Sequence, residues 1–330
     1  MIYAPVRIGT LNRYTHFKRC LESLERNSWA KYTEVYVSID YPTKESHWEG
    51  YEKIKDYLVK KEKENGFLEL HVYKQEENLG PAGNYRFLEN IIYEKYDRMI
   101  SLEDDIETAP NFLQYMDTAM EWGADNKDIY CICGYFQLKK QGILSRTIEG
   151  KELFLRTAFN PWGTGYFKEK RKEMQNTVSK EWLDAISKNN RQMFLLLCYR
   201  KYTFYMFVME YLINQSPVFF NKQGGIRQMD IVVDIYLFLN GMYAVFPTIS
   251  KTRNWGFDGS GVNCEAKKDI DMTKFQLDNR KEFEITKENF IIIDKKMMKK
   301  MSWGGLPDKK ELYIAVLYYF YYRIKILFKR

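Results

Sequence analysis

The amino-acid sequence predicts an α/β fold in which a mostly parallel sheet is covered by helices on both faces. Strand and helix patterns alternate over the first hundred residues, and turn or helix-stop residues separate them. The chain has 330 residues, enough to bury a large core. Its 45% hydrophobic and 29% charged residues are typical of a soluble globular protein.

Each segment before residue 106 has the pattern of one structural element. Phe17, Cys20 and Leu21 recur at helical spacing, and Asn65-Gly66 ends a long helical segment. Strands are predicted at residues 4–10, 34–40, 68–75 and 97–105, and helices at residues 14–27, 44–66 and 78–96. Because strands and helices alternate, we expect the strands to run parallel.

The pattern changes after residue 106, but no linker or internal repeat marks a second domain. Helices are predicted at residues 108–123, 180–220 and 228–241, strands at 128–136 and 244–250, and glycine-rich loops around 159–167 and 252–263. We therefore expect residues 1–106 and 107–264 to be two halves of one domain, followed by a C-terminal extension over residues 265–330.

The positive charge of the chain is concentrated at its end. The formal net charge is +7, and residues 294–330 hold ten Lys or Arg against three Asp or Glu, which accounts for the whole excess. A nucleic-acid-binding protein usually spreads positive charge over a folded face. The pattern therefore predicts no nucleic-acid partner.

The cysteines and histidines predict neither disulfides nor a zinc site. The five cysteines include no C-x-x-C pair, and Cys131 and Cys133 alternate along a predicted strand as buried thiols would. The three histidines are scattered. We expect a reduced, cytoplasmic compartment, because the N-terminal residues have no signal-peptide pattern and no apolar run reaches the roughly 18 residues of a membrane span.

Three consecutive acids, Glu103, Asp104 and Asp105, follow the apolar run of the fourth predicted strand. Ligands of such sheets bind outside the carboxyl ends of the strands, where Thr10 and Asp40 also lie. The acids suit either the N-terminus of the following helix or a hard cation beside a phosphate. The strand order favours the cation, and Mn²⁺ or Mg²⁺ fits a carboxylate site with open positions.

Several motifs resemble those of nucleotide-sugar-dependent glycosyltransferases of the GT-A fold, notably glycosyltransferase family 2. The opening P-V-R-I-G-T-L-N-R and the helix with C-L-E-S-L resemble the start of these enzymes. The run L-E-D-D-I-E-T-A-P-N-F resembles the metal-binding signature of the N-acetylglucosaminyltransferase I type, and W-G-T-G-Y-F and N-W-G-F-D-G-S-G-V-N resemble loops of bacterial relatives. The resemblance covers about residues 4–264.

The resemblance implies a nucleotide-sugar-binding half over residues 1–106 and an acceptor-binding half over 107–264. Donor-binding residues would be Thr10, Asn12, Arg13, Asp40, Asn78, Gly80, Asn84, Arg86, Glu103 and Asp104, and Asp105 would be the direct metal ligand. Residues of the acceptor cleft and a closing loop would be Trp162, Gly163, Gly165, Trp255 and Asp258. Gly80 suits equally a plain turn before a helix, and Trp162 suits equally a core position.

An enzyme that inverts the anomeric centre also needs a base for the acceptor hydroxyl. The family places this carboxylate at the start of a helix in its second half, where Asp230 and Asp234 stand four residues apart among apolar residues. The residues after Asp230 match the family pattern better, although Val232 and Val233 stand where an Arg is common. Capping of the helix is the alternative role.

The last helix, predicted over residues 309–330, combines tyrosines and other apolar residues with Lys and Arg. Its uninterrupted apolar stretch of eleven residues, 312–322, is too short to span a bilayer. This composition is typical of an interfacial helix on an anionic membrane. Packing on the core or on another subunit is the alternative.

The sequence thus predicts a metal-dependent, inverting glycosyltransferase that moves a sugar from a nucleotide diphosphate, with UDP favoured, to a saccharide or lipid-linked saccharide in surface glycan synthesis. Two other functions stay open. A sugar-1-phosphate nucleotidyltransferase shares the layout, but its glycine-rich loop with Arg and Lys is poorly matched by G-T-L-N-R. A non-catalytic glycan-binding protein would keep the cleft and need no metal.

Overall fold

The computed structural model describes residues 2–136, 148–216, 219, 230–261, 276–285, 290–292 and 308–328. The strands in these ranges are β1 Val6–Thr10, β2 Glu34–Ile39, β3 Glu69–Lys74, β4 Arg98–Glu103, β5 Ile106–Thr108, β6 Ile129–Cys133, β7 Leu153–Arg156, β8 Thr164–Phe167, β9 Tyr243–Pro247, β10 Thr252–Asn254 and β11 Phe290–Ile292. The helices are α1 Tyr14–Glu25, α2 Trp48–Lys63, α3 Gly80–Lys95, α4 Phe112–Gly123, α5 Lys168–Thr177, α6 Lys180–Lys188, α7 Asn190–Tyr199, α8 Lys201–Met206, a π-helical segment Phe207–Ile213, α9 Asp230–Asn240 and α10 Lys309–Leu327.

Nine strands form one sheet in the order β11-β7-β9-β6-β8-β4-β1-β2-β3. Strand β1 runs parallel to β2 and β4, and β2 runs parallel to β3, as the alternation of strands and helices predicts. Five of the eight pairings are parallel, and three are antiparallel. The predicted α/β fold, with a mostly parallel sheet between helices and a helix at the C-terminus, is confirmed.

Each face of the sheet carries its own apolar layer. On one face, α1 buries Phe17, Cys20 and Leu21, the residues that predicted it, together with α2 and α4. On the other face lie α3, helices α5 to α9, and the inner face of α10. Both faces are covered, as expected where crossover helices join parallel strands. Cys20, Cys131, Cys133 and Cys198 are free thiols, while Cys264 lies outside the described residues.

The C-terminal helix α10 is fixed at its start and along its inner face. Asp308 accepts a hydrogen bond from the Glu311 amide, and the Glu311 carboxylate accepts one from the Asp308 amide, forming a capping box. Tyr319 is buried and its hydroxyl donates to the Ser187 carbonyl at 3.2 Å. Among the described residues, no helix is both long enough and apolar enough to cross a membrane.

The structure differs from the sequence prediction in several elements. Strands β7 and β11 lie where no strand was predicted, and the described part of the predicted helix over 180–220 is divided into α6, α7, α8 and the π-helical segment. Two further differences lie next to the site. Residues 164–167, within a predicted loop, form β8, which lies antiparallel between β4 and β6. The predicted helix over 108–123 begins only at Phe112, because residues 106–108 form β5, which pairs with β10 in a separate two-stranded sheet. Both corrections have the same cause: short, glycine-containing or polar strands gain their stability from a neighbouring strand and carry little signal of their own.

Candidate active site

The sheet brings the carboxyl ends of β1, β2 and β4 side by side. The Asp40 amide donates to the Thr10 carbonyl at 2.9 Å, and Thr10 Oγ1 donates to Asp104 Oδ2 at 3.0 Å. Strand β4 ends at Glu103, so Asp104 and Asp105 lie in the turn that follows. Thr10, Asp40 and the acidic turn therefore meet at one edge of the sheet, as the sequence predicts.

Arg13, the residue before α1, lies against the acidic turn. Its guanidinium forms an ion pair with Asp104, and its Nη1 lies 2.9 Å from Asp105 Oδ2. Burial lowers the pKa of Arg13, but the two carboxylates outweigh it and raise this pKa above its usual range. Arg13 therefore stays charged and neutralises part of the acidic cluster. Asn12 is half-buried, and α2 approaches its carbonyl at Gly50, where a Cβ atom would lie 1.9 Å from that oxygen.

Asp105 retains an oxygen without a hydrogen bond. Its side chain is 8% exposed, and Oδ1 has no hydrogen-bond partner among the described residues. Burial raises the pKa of Asp105, while the charge of Arg13 acts in the opposite direction. A buried carboxylate oxygen without a donor is unusual in native structures and suits a cation ligand. The turn therefore offers one free carboxylate oxygen, Asp105 Oδ1, that is available to ligate a hard divalent cation.

Glu103 and Asp230 extend the acidic cluster across the cleft. Burial, followed by the charges of Asp105 and Asp230, raises the pKa of Glu103 to about 8. Asp230 begins α9 and is exposed to solvent, while crowding by nearby protein atoms raises its pKa to about 6. Near neutral pH, Glu103 holds a proton and Asp230 is mostly a free carboxylate.

Asp234, the second candidate base, is committed to a structural ion pair. Its carboxylate pairs with the Arg200 guanidinium, whose Nε lies 3.1 Å away, and accepts a hydrogen bond from Thr203 Oγ1 at 2.6 Å. The residue is 7% exposed. These contacts join α7, α8 and α9, so the Asp234 carboxylate is engaged within the fold, whereas Asp230 is exposed at the start of α9.

Asp40 and Asn78 connect the end of β2 to the start of α3. Asp40 Oδ1 accepts from the Leu79 amide at 2.8 Å, and Asn78 Nδ2 donates to Asp40 Oδ2 at 3.2 Å. Gly80 has φ +69° and open space around its Cβ position, so its glycine serves the backbone conformation. Asp40 Oδ1 also accepts from the Tyr41 amide at 3.0 Å, so three donors fix the orientation of this carboxylate at the edge of the site.

Asn84 and Arg86 differ in position from the other predicted donor residues. Asn84 is 2% exposed, and its amide donates to the Ser38 carbonyl at 3.1 Å and accepts from the Ser38 hydroxyl. Arg86 is exposed on α3. The Asn84 amide is thus used inside the fold, where it holds α3 against β2, and the structure does not bring it together with the acidic cluster.

The loop over residues 254–261 lies directly on the acidic turn. The Trp255 amide donates to the Asp105 carbonyl at 2.9 Å, and its indole N–H donates to Glu107 at 2.8 Å. Asp258 pairs with His16 of α1 at 3.1 Å. At Gly256, a Cβ atom would lie 2.2 Å from Asp105 Oδ2. The predicted closing-loop residues Trp255 and Asp258 therefore cover the predicted metal ligand.

An aromatic group stands beside this loop. The Trp162 ring lies 4.4 Å from Tyr135 and 5.6 Å from Phe257, centroid to centroid, and all three side chains are half-buried. Gly163 has φ +76°, and a Cβ atom there would lie 2.7 Å from Thr252 Cγ2. Gly165 lies in β8 against Met120. Trp162 thus lies in an aromatic wall beside the loop, whereas Gly165 is buried inside the sheet and does not line the predicted acceptor cleft.

Sequence reasoning missed His16, Arg19, Tyr135 and Phe257 as site residues. The Arg19 guanidinium lies 4.1 Å from the centre of the Trp255 ring, so α1 holds the loop through two residues. Arg13, His16 and Arg19 are spaced by three residues on one side of α1, a signal present in the sequence. Tyr135 and Phe257 carry no comparable signal, because only folding brings them to Trp162.

A second cluster of possible metal ligands lies at the other end of the sheet. Glu34, Glu69 and His71 place one ligand atom each within 4.8 Å of the others, at the starts of β2 and β3. Burial raises the pKa of Glu34, but hydrogen bonds led by Lys95 and Tyr96 lower it to about 2. Because these groups already satisfy one another, the cluster is explained by structure alone.

Comparisons with known proteins give structural matches only. No family model matches the sequence, and no curated protein matches it significantly. Matched solved structures include S. aureus TarS 1-349 in complex with UDP-GlcNAc, with 16% identity, a TM-score of 0.36, and 54% of this chain against 48% of that chain. A mannosyltransferase from Pyrobaculum calidifontis with GDP-Man and Mn²⁺ matches with 15% identity, a TM-score of 0.34, and 53% against 46%. The galactosyltransferase LgtC with donor and acceptor sugar analogues matches with 13% identity, a TM-score of 0.33, and 55% against 64%. The chain spans about half the length of the first two.

Proposed function

We propose that this protein is a GT-A-type glycosyltransferase that moves a sugar from a nucleotide diphosphate, with UDP favoured, to a saccharide acceptor. The observation that carries the proposal is the meeting of Asp105, with its unpartnered oxygen, Thr10, Asp40 and Asp230 at one edge of the sheet. A lone helix-capping acid would need none of the other three groups. We further propose inversion at the anomeric carbon, with Asp230 facing the acidic cluster as the base for the acceptor hydroxyl.

The donor would bind across the ends of β1, β2 and β4. Asp40, fixed by Asn78 and the Leu79 amide, is placed to accept hydrogen bonds from the base or ribose. Arg13 is placed to pair with a phosphate once the carboxylates beside it are shared with another cation. Glu103, which holds its proton near neutral pH, can donate a hydrogen bond to a sugar hydroxyl.

Asp105 would hold a divalent cation, Mn²⁺ or Mg²⁺, through its free oxygen. Such a cation, when bound, supplies positive charge to the diphosphate as it leaves. The protein contributes a second, fixed positive charge through Arg13. The charges of the site support this arrangement, because the single Arg13 guanidinium is shared by the carboxyl groups of both Asp104 and Asp105.

Asp230 would act as the general base. Its carboxylate accepts the proton of the acceptor hydroxyl while the acceptor oxygen forms its bond to the anomeric carbon. The bond between that carbon and the phosphate oxygen breaks, and the nucleoside diphosphate leaves with the electron pair. A pKa of about 6 keeps Asp230 mostly ionised at neutral pH and still basic enough to assist.

The aromatic wall and the 254–261 loop would position the acceptor and exclude water. Trp162, Tyr135 and Phe257 offer apolar faces on which a sugar ring can stack. The loop, tied to α1 through Asp258 and Trp255, would cover the diphosphate and limit hydrolysis of the donor. We propose a saccharide or lipid-linked saccharide as acceptor, in surface glycan synthesis.

Binding of nucleotide diphosphates with Mn²⁺ tests the proposal directly. We expect UDP with Mn²⁺ to raise the unfolding temperature of the protein by several degrees, because a ligand that binds only the folded state stabilises it. Asp105→Ala should abolish the part of the shift that depends on Mn²⁺. Asp56→Ala, which removes an exposed acid on α2, is the matched control and should keep the shift.

Donor turnover separates the enzyme from its alternatives. We expect UDP-sugar hydrolysis or transfer to depend on Mn²⁺ and to be lost in Asp105→Ala. Binding of saccharides without any nucleotide response would favour a non-catalytic glycan-binding protein. Release of pyrophosphate from a nucleoside triphosphate and a sugar phosphate would favour a nucleotidyltransferase. Either result would refute glycosyl transfer by this site.

A further inference from the structure

The C-terminal helix α10 turns an apolar face to solvent. Five of its residues, Tyr313, Leu317, Phe320, Tyr321 and Ile324, are each between 51% and 63% exposed. We call these five residues the outer stripe. Large exposed apolar patches on soluble proteins usually mark an interaction surface. The outer stripe is such a patch.

The outer stripe follows directly from the helical geometry of the sequence. Its residues are spaced at i, i+4, i+7, i+8 and i+11, which places them on one side of a helix over about 17 Å. The opposite side packs on the protein through Ala315 and Tyr319, both buried. Arg323 Nη1 donates to the Lys188 carbonyl at 2.6 Å and fixes the far end. The helix is therefore held with the outer stripe facing outward.

A shallow apolar groove runs along the same surface. It has a volume of about 490 Å³ and is lined by Ile314, Leu317, Tyr318 and Tyr321. Tyrosine side chains combine an apolar ring with a polar hydroxyl, and they are enriched where proteins meet the headgroup region of a bilayer. Tyrosines are also enriched in protein interfaces, so the composition of this surface fits either environment and the charge around it must decide.

The charge around α10 selects among the possible occupants. Lys309 and Lys310 stand in the first turn, and Lys325 stands in the last turn, all exposed. The segment over residues 294–330 holds ten basic and three acidic residues. A second copy docked on the same face would bring Lys309, Lys310 and Lys325 of two α10 helices together and repel them. An anionic lipid surface instead attracts each basic side chain and accepts the apolar stripe.

We propose that α10 binds the surface of an anionic lipid bilayer, lying along it with the outer stripe in the headgroup region. The inner side of the helix stays packed on the protein, so docking needs no unfolding. This surface is separate from the proposed catalytic residues, and its binding to lipid requires neither donor nor metal. Failure of the lipid proposal would therefore leave the proposed function untouched.

Vesicle co-sedimentation of the full chain tests the proposal. We expect the protein to sediment with vesicles of phosphatidylcholine mixed with phosphatidylglycerol and to remain in solution with phosphatidylcholine alone. Leu317→Ser together with Phe320→Ser should weaken binding at least about tenfold, since two large apolar side chains no longer leave water. Leu68→Ser, at an equally exposed apolar residue before β3, is the control and should bind as wild type.

The charge contribution is tested with a second set of variants. Replacing Lys309, Lys310 and Lys325 with Gln should weaken binding at least about tenfold, because each basic residue near an anionic surface adds to the affinity. Replacing Lys53, Lys60 and Lys63 of α2 with Gln removes the same charge elsewhere and should have a much smaller effect. Circular dichroism confirms that each variant is folded.

Three results would overturn the proposal. Equal binding to neutral and anionic vesicles would remove the role of charge. Unchanged binding of the Leu317→Ser and Phe320→Ser double variant would show that the outer stripe does not contact the lipid. A stable dimer in light scattering that dissociates in the same variant would assign the outer stripe to a second copy of this chain.

Discussion

At the scale of single residues, the acidic turn contains more negative than positive charge. Arg13 contacts both Asp104 and Asp105, so one positive charge faces two negative charges. Glu103 reduces the imbalance by holding a proton, since its pKa is raised to about 8. One negative charge remains, and Asp230 adds another nearby. A cation and a phosphate ligand would complete this arrangement, which is why we place the chemistry here.

The pH dependence of turnover should report Asp230. The base works when ionised, so kcat/KM should rise with pH and level off above an apparent pKa of about 6, the value for Asp230 in the free protein. Asp230→Asn should lower kcat by about 10²-fold to 10⁴-fold, as removal of a general base does elsewhere. Initial rates of sugar transfer from pH 5 to 8 provide the measurement.

Two outcomes would contradict this assignment. An Asp230→Asn variant with wild-type kcat would exclude the residue as base. If substitution of another residue abolished the rise of kcat/KM between low and neutral pH, that residue would be the general base. Near-ultraviolet circular dichroism should show that Asp230→Asn keeps its tertiary packing, because Asp230 has contact with solvent at the start of α9.

A second buried acid, Asp117 on α4, should make the stability of the protein depend on pH. Its side chain is fully buried, it accepts the Ala4 amide at 2.9 Å, and burial raises its pKa from 3.8 to about 7. The unfolded chain loses the proton first, so stability falls as pH rises from about 4 to 7 and is then constant. The free energy of unfolding decreases by up to about 4 kcal/mol, because the pKa of Asp117 is higher by about three in the folded protein.

Asp117→Asn should remove this loss. The amide oxygen can still accept from Ala4, and no charge is buried at neutral pH. We expect the variant to unfold at higher urea concentration than wild type at pH 8 and to lose that advantage near pH 4. Asp125→Asn, at an exposed residue after the same helix, is the control. If Asp117→Asn unfolded at the same urea concentration as wild type at pH 8, Asp117 would not limit stability.

Residue roles could be predicted where strand ends determine them. Thr10, Asp40 and Asp105 follow from the rule that ligands bind at the carboxyl ends of parallel strands. The same rule could not show that Asp234 and Asn84 have structural contacts instead of a place in the site. The partner of Asp234 is Arg200, which is 34 positions away, and Asn84 is turned toward Ser38 on another element. Such pairings depend on packing that no local pattern records.

At the scale of elements, the parallel half of the sheet could be predicted and the antiparallel insertion could not. Strands β1 to β4 alternate with α1 to α3, and each has enough apolar residues to be recognised. Strand β8 has only four residues, including Gly165, and is stabilised by pairing on both sides with β4 and β6. Its strand character comes from its neighbours.

The 254–261 loop is the element whose fit should matter most for donor binding. At Gly256, a Cβ atom would lie 2.2 Å from Asp105 Oδ2, so Gly256→Ala must displace the loop or the carboxylate. We expect at least about tenfold weaker UDP binding with Mn²⁺. Because Gly256 is buried, we also expect a lower unfolding temperature without ligand. Isothermal titration calorimetry measures the first effect and differential scanning calorimetry the second.

Gly66→Ala provides the matched control for the loop variant. It adds the same methyl group in a distant loop, where the nearest atom is the flexible Glu25 side chain at 3.2 Å. Its UDP affinity should equal that of wild type. If Gly256→Ala also bound UDP as wild type does, the contact between the loop and Asp105 would have no part in donor recognition.

At the scale of the whole molecule, the two halves on either side of residue 106 are joined by backbone pairing. Ile100 of β4 and Ile132 of β6 both pair with Gly165 of β8, so the sheet continues from one half to the other. A fragment ending at residue 106 would leave β4 as an open edge with an apolar surface, which favours aggregation. We therefore expect one cooperative unfolding transition.

Gly163→Ala tests this cooperativity, since the residue lies where both halves meet. Its φ is +76°, and a Cβ atom would lie 2.7 Å from Thr252 Cγ2 and 3.4 Å from Leu102 Cδ2, one residue from each half. The strain should lower the free energy of unfolding by about 1–3 kcal/mol. In urea-dependent hydrogen exchange, the amides of β1 and β6 should lose the same amount of protection. A loss confined to β6 would show two independent folding units, and the shared sheet would then be a contact between domains.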